Sequence, residues 1–458
     1  MSAKGQFQFS LGIKGGCAGF ILSALVLSSS PLRAETLGEM LKGYLEEDNT
    51  VKAAQSGIKA SKERYRAAMG GWYPNFSMTA FAGREDQNKP EADDTSLTTK
   101  EMDLSITQRL WDGGLTSSIV RTARLSLAQS RASLDVARVD ALLKGVQAYV
   151  LLQKAVTVLD FSRRSVAKIE ELKKIEEKKI ELEAGSVTEL NQIKVQLAEA
   201  KSVRIAADGE LKRSLNIFRS IYHREPTNLN DMRTPSMPVH LLPTSVEEAV
   251  QIAKENHPIL RREAYTPRIA AQAVKAARAS GFTPSFDAVA EIKYKKDVSG
   301  TIGFQRETLG KVQMTFPFNL GFTAVNTLKA SKGDLSATET TYAETVLQYE
   351  LQIRNAWDAL RTAQDTVELR LLQAENAKEF KESALKEKDA EGGSMVTVVI
   401  GEKQVLDALS AAAAANLDVV SAFYILLGGM GLLNEEMLMD LEAGTTPAQN
   451  AEMAPQAG

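Results

Sequence analysis

The chain has 458 residues, 55 Lys and Arg against 58 Asp and Glu for a net charge of −3, and one cysteine. So mild a charge excludes a nucleic-acid partner, and a lone thiol with three scattered histidines (His223, His240, His257) excludes Cys/His zinc sites and thiol nucleophiles. No clustered acid, base or phosphate loop is visible, so the chain reads as a non-enzyme without metal or cofactor, its histidines placed at the surface or at junctions.

At the N-terminus, Lys4 and Lys14 precede an apolar run from Cys17 to Leu27 and then "SSSPLRAE". This reads as a secretory signal over residues 1–34, since the run is well short of the ~20 residues that a membrane-spanning helix needs. Cys17 lies inside the run, where it cannot serve as a lipid acceptor.

From residue 35 the chain repeats itself at an offset of about 207–210 residues. "GGWYPNFSM" (70–78) faces "SGFTPSFDA" (280–288), "RLWDGG" (109–114) faces "FPFNLG" (316–321), and "QAYVLL" (147–152) faces "NAWDAL" (355–360). "EAGSVTEL" (183–190) faces "EGGSMVTVV" (391–399). Residues 35–222 and 244–433 are therefore two copies of one plan, joined by a proline-rich connector at 223–243. Residues 434–458 read as a disordered acidic and polar tail.

Each copy opens on a helix, 35–71 and 244–280, with apolar residues at helical spacing, and Pro74 and Pro284 end these helices. The period then switches to two. Asn75–Ala82, Glu101–Leu110, Phe286–Lys295 and Lys311–Phe318 alternate apolar with polar residues and read as four strands in two hairpins, with polar loops at 84–100 and 296–309. Alternation alone fits a half-buried soluble sheet, but strands of this length suit a tilted crossing of a bilayer. Trp72, Tyr73 and Trp111, with Phe282, Phe316 and Phe318 in the second copy, stand where a membrane-interface girdle requires aromatics. Four strands cannot close a barrel, and open edges in hydrocarbon are costly, so other subunits must close it; the residues alone leave the copy number at two or more.

Gly113 and Gly114, and Gly321 in the second copy, form the seam where strand turns into helix, with Thr116 or Ser117 as the expected cap. From Leu115 to Ala184 and from Phe322 to Glu391 no proline interrupts the helical pattern, which gives rods on the order of 100 Å. Val139, Leu142, Leu143, Val146, Tyr149, Val150, Val156 and Leu159 trace a packing stripe. The shorter helices, 35–71 and roughly 187–222, would stack end to end along one rod. At the far tips, charge-rich stretches precede Gly185 and the pair Gly392 and Gly393, expected to make left-handed turns, with Ser186 and Ser394 capping the returning helices. These tips are the expected docking points for an inner partner.

The motifs "WYPNFSM", "QRLWDGG", "QAYVLLQ", "EAGSVTELNQIKVQLAEA" and "GGSMVTVVIGEKQVLDAL", in this order, resemble the TolC-type outer membrane channel-tunnel family over residues 35–433. The resemblance implies an α+β membrane protein, a duplicated long-helix coiled-coil barrel with four transmembrane strands per protomer, closing a twelve-stranded barrel as a homotrimer. It also implies the outer membrane of a Gram-negative bacterium with a large periplasmic portion, outer membrane lipid around the barrel, a periplasmic adaptor and an inner-membrane transporter of ABC or RND type. Many members narrow the tip with an aspartate six residues beyond the tip glycine; this chain has Asn191 and Val399 there, leaving Glu189 and Glu402 as carboxylates able to line the aperture beside Asn191. The expected function is the outer duct of a tripartite complex, first for type I protein secretion because a lipid-acceptor cysteine is missing. Multidrug or metal efflux is the alternative, and a non-channel periplasmic coiled-coil adaptor is the reading from another class.

Overall fold

The computed structural model describes residues 37–434, except 89, 91–93, 184, 227–228, 230–231, 319 and 391–392. The signal at 1–34, the tail beyond 434 and Gly392 lie outside the described residues.

Where one helix is expected at 35–71, the chain forms α1 (Leu37–Glu47) and α2 (Asn49–Met69). Asp48 makes the break: its carboxylate accepts the Thr50 and Val51 N–H groups at 2.8 and 2.9 Å and so starts a new helix. The corresponding helix of the second copy breaks into α5 (Val246–Asn256), α6 (Pro258–Glu263) and α7 (Tyr265–Phe282). Here Pro258 forces His257 out of the helical region, to φ −69° and ψ 127°, and occupies the first turn of α6.

The strands are β1 (Asn75–Gln87), β2 (Thr95–Trp111), β3 (Ser285–Val298) and β4 (Thr301–Thr315), in one antiparallel sheet of order β1-β2-β3-β4. They run beyond the expected limits: most of 84–100 and 296–309 is strand rather than loop. The ladder continues because backbone pairing does not require alternating hydropathy, and Thr95, Thr98 and Thr99 keep β-propensity high. Between β3 and β4 the turn takes two residues, Ser299 (φ 54°) and Gly300 (φ 71°), the two left-handed positions of a type I′ hairpin. At its other end β4 stops at Thr315, so Phe316 and Phe318 follow the strand instead of alternating within it.

The rods are α3 (Leu115–Glu181) and α8 (Thr323–Asp389), 67 residues each, or about 100 Å at 1.5 Å per residue. Each returns as a half-length helix, α4 (Val187–Tyr222) and α9 (Met395–Gly429). Along one side of α3, α2 packs on the strand-proximal part, where Ser61 and Ser130 share a 2.8 Å hydrogen bond, and α4 packs on the distal part. Its other side meets α7 and α9, beyond which lies α8. The helical layer thus runs α2/α4, α3, α7/α9, α8, leaving α2/α4 and α8 as its edges.

The main core lies at mid-height, where α1, α3, α4, α5, α8 and α9 converge on Leu41, Val146, Leu152, Phe218, Ile353, Phe423 and Leu427. Leu142, Val146, Tyr149 and Val150 of the expected stripe are buried there, and Leu159 is buried farther along α3. Gly145 brings α4 close enough for the Tyr222 hydroxyl to donate to its carbonyl at 2.9 Å. Hydroxyls also hold the connector: Tyr149 donates to the Arg233 carbonyl at 2.9 Å and Tyr424 to that of Ser236 at 2.7 Å. Both α3 and α9 contain an 18-residue stretch apolar enough to cross a membrane by composition, yet half of each stretch is buried against neighbouring helices.

Candidate functional site

Two ends of this architecture carry function, the sheet and the helical tips. In the sheet, register decides which side chains share a face, because successive residues point to opposite sides. Phe76, Ile106 and Ala290 form one cross-strand row, Met78, Leu104 and Ile292 the next, and Met102 with Tyr294 a third. The opposite face carries ion pairs. Arg109 meets Asp287 at 2.5 Å, Lys293 stands 3.6 Å from Asp103 and 4.0 Å from Glu291, Lys311 lies 3.5 Å from Glu291, and Lys295 reaches Glu307 at 2.8 Å. In hydrocarbon only the first face can be outward, so the charged face belongs to an aqueous lumen.

Trp72, Tyr73, Trp111, Phe282, Phe316 and Phe318 are all exposed and gather at the helix-bearing end of the sheet. Trp111 lies 6.0 Å from the Phe286 ring, beside a bulge between Arg109 and Trp111. Below it, Gly113 (φ 65°) and Gly114 (φ 90°) take left-handed conformations as the seam requires, and a side chain on Gly113 would run into Thr283, whose Cβ stands 2.7 Å from the added Cβ. The cap is not Thr116 or Ser117. Asp112 accepts from the Gly114 amide at 3.0 Å, the Thr116 amide at 2.7 Å and the Thr116 hydroxyl at 2.5 Å. An aspartate just before two glycines, with Thr116 four residues on, is the sequence signal for it. In the second copy, beyond Gly321, the left-handed residue is Phe322 (φ 56°), which starts α8.

At the tips, Ser186 and Ser394 cap α4 and α9 as expected, accepting from the Glu189 amide at 3.5 Å and the Val396 amide at 3.1 Å. The left-handed residue of the first tip is Glu183 (φ 60°), and Gly185 and Gly393 answer a demand for space. A Cβ on Gly185 would lie 2.8 Å from the Ile180 backbone nitrogen, and one on Gly393 would lie 2.6 Å from the Glu387 carbonyl carbon and against the Lys388 nitrogen.

Of the expected aperture residues, only Asn191 is exposed. Glu402 is buried and pairs with Lys381 of α8 at 2.9 Å, and Val399 is fully buried, so both pack between helices instead of lining an opening. Glu189 joins the tips by accepting the Met395 amide at 3.3 Å, the first turn of α9. Charge-run periodicity could not single out Glu176, which is 2 % exposed and accepts the Ser186 amide at 3.3 Å across the first turn. A separate apolar cluster, Ile169, Leu172, Ile193, Leu197, Met395, Val398 and Val399, fuses the tips of both copies. Exposed Leu182 and Val187 remain on the first tip. The Lys201 ammonium, 2.8 Å from Glu170, holds that carboxyl below the usual range and ties α4 to α3.

An amphipathic sheet continuous with helices of about 100 Å defines an outer membrane channel-tunnel. Residues 41–221 match the family described as Outer membrane efflux protein. The chain is 22 % identical over 424 residues to the outer membrane efflux protein BepC of Brucella suis, covering 92 % of this chain and 91 % of that protein. It is 21 % identical to the outer membrane protein TolC of Vibrio cholerae, over 94 % of this chain and 98 % of that one. A membrane protein from Pseudomonas aeruginosa has the same fold, with a TM-score of 0.76 at 14 % identity over 87 % of this chain and 94 % of that one. The outer membrane efflux protein match over residues 41–221, together with similarity to two outer membrane proteins over more than nine-tenths of the chain, makes the chain similar to the TolC-type outer membrane channel-tunnels.

Proposed function

We propose that three copies of this chain close a twelve-stranded barrel and a continuous helical tunnel, forming the outer duct of a tripartite export complex. The observation that carries this reading is the alignment of open edges. β1, α2 and α4 form one edge and β4 and α8 the other, so each edge of the sheet continues into an edge of the helical layer on the same side. Such a pair of edges suits a heterologous contact that closes by rotation. Two copies would give about eight strands, whose interior side chains fill; three are the smallest ring that leaves a duct. Leu347, Leu351, Leu369 and Leu372 on α8, and Val195, Val203 and Ile205 on α4, are exposed apolar residues that a neighbour would cover.

In this reading Leu182, Gly185, Ser186, Gly393 and Ser394 present the tips to a periplasmic adaptor, with Gly392 beside them in sequence, and Asn191 faces the aperture. An inner-membrane transporter, of ABC or RND type, delivers the cargo. Protein secretion is the cargo class carried from the sequence, and the name of BepC, an outer membrane efflux protein, supports the alternative of multidrug or metal efflux as the second reading. Purified protein run on a native gel and reconstituted in planar bilayers should give a trimer with a water-filled conductance; a soluble periplasmic monomer would refute the duct. In a strain lacking the gene, lost protein secretion with unchanged dye accumulation selects the first cargo class, and the reverse selects the second.

A further inference from the structure

The cations of β2, β3 and β4 fall into two groups, while on β1 Arg84 shares the outward face and pairs with Asp86 at 3.6 Å. Arg109, Lys293, Lys295 and Lys311, on the lumenal face, each have a carboxylate partner. Lys100, Lys296 and Arg306 share the opposite face with the apolar rows, all three are exposed, and none has an ion-pair partner among the described residues. Lys100 is register partner to Lys296, and Arg306, partner to Tyr294, is diagonal to Lys296. Directly opposed side chains stand about 5 Å apart at Cβ and diagonal ones about 7–8 Å, so three like charges crowd one patch that repels itself.

Their height supports the same conclusion. Ten residues of β3 separate Lys296 from Phe286 at the helix-bearing girdle, or about 33 Å of strand and about 25 Å of vertical rise at a tilt near 40°, the height of an apolar band. Tyr294 and Phe304, 6.0 Å apart and on the same face, mark that level as the second aromatic girdle. The patch therefore sits at the headgroups of the outer leaflet, just beyond the hydrocarbon.

We infer that Lys100, Lys296 and Arg306 form a binding site for a phosphorylated lipid headgroup of the outer leaflet, whose phosphates supply the counter-charge that the lumenal cations find in carboxylates. The inference rests on the channel reading, which sets this face toward lipid. The test uses the full-length trimer in neutral detergent and native mass spectrometry, with diphosphorylated lipid A as probe and its dephosphorylated form as control. The wild type should retain the diphosphorylated probe, and the K100Q/K296Q/R306Q variant should bind it about tenfold more weakly or worse while remaining trimeric. K293Q, on the lumenal face, should bind as the wild type does. Equal binding by wild type and triple variant, or equal binding of the two lipids, overturns the site and leaves the channel standing. Recovery of the wild type in the soluble fraction overturns both.

Discussion

The two rods are equal in length and grow from equivalent seams, yet α3 buries twenty-one of its residues and α8 only six. Position in the layer accounts for the difference. α3 is flanked by helices on both sides along its length, whereas α8 packs on α7 and α9 and, at mid-height, on α5, with no further rod beyond it among the described residues. Duplication copied a local plan, and the single chain then used one copy as its centre and the other as its rim. A rim helix that keeps exposed leucines is, in the proposed assembly, the surface that a neighbouring subunit would cover.

The largest effect expected from this contrast is in the core. Leu152→Ala, at a fully buried position of α3, should cost about 2–5 kcal/mol of protomer stability in denaturant titration. Ile353→Ala should cost a similar amount, because it is one of the few α8 residues that reach the shared core. A small loss at Ile353 would show that α8 is loosely held throughout.

A second contrast concerns the helix breaks, where Asp48 and His257 stand at equivalent points of the two copies. Burial alone would raise the Asp48 carboxyl, but hydrogen bonds from the Thr50 hydroxyl, the Val51 amide, the Tyr44 hydroxyl and the Thr50 amide hold it below the ordinary range. Burial pushes the His257 imidazole down to about 4, although the Gly428 carbonyl favours its proton. Its Nδ1 accepts the Ile259 amide at 3.2 Å, and its ring lies 4.4 Å from that of Tyr349. The folded state therefore binds fewer protons than the unfolded one. The neutral-histidine contribution, on the order of 3 kcal/mol, is complete above pH 6.5 and is lost as pH falls toward 4. The Asp48 contribution persists until pH drops below the ordinary carboxylate range. Hydrogen exchange on acidification should loosen α5 and α6 before α1 and α2; simultaneous loosening would remove the contrast.

Smaller is the effect at the seam, where Phe322 takes at φ 56° the left-handed position that Gly114 holds in the first copy at φ 90°. Because Phe322 is 69 % exposed, Phe322→Gly should stabilise the protomer by about 1 kcal/mol, read as a raised Tm, whereas Gly114→Phe should destabilise it. The smallest effect on the protomer is at the rim. Leu369→Asp should change protomer stability by about 0.5 kcal/mol or less while weakening the trimer in light scattering.

The expected strands, rods and tip caps follow from local signals that a short window contains. The alternation of Met102, Leu104 and Ile106 against Asp103, Ser105 and Thr107 already separates a lipid face from a lumenal one. Other features depend on partners outside any short window. Glu402 reads as a free carboxylate near the tip until α8 brings Lys381 to it, and Glu189 becomes a clasp only when the second tip presents the Met395 amide. The stretch 296–309 reads as polar loop because hydropathy stops alternating outside lipid, although backbone pairing continues.

The sequence by itself determined the duplication, the rods of about 100 Å and the two-faced strands, because periodicity and punctuation are local properties of a chain. Tertiary structure alone decided that α3 is the centre and α8 the rim, that lumenal cations are neutralised while Lys100, Lys296 and Arg306 are not, and that both tips form one cluster. Packing and charge pairing are set by which surfaces meet, and a repeat of the same local plan does not say which copy will lie inside.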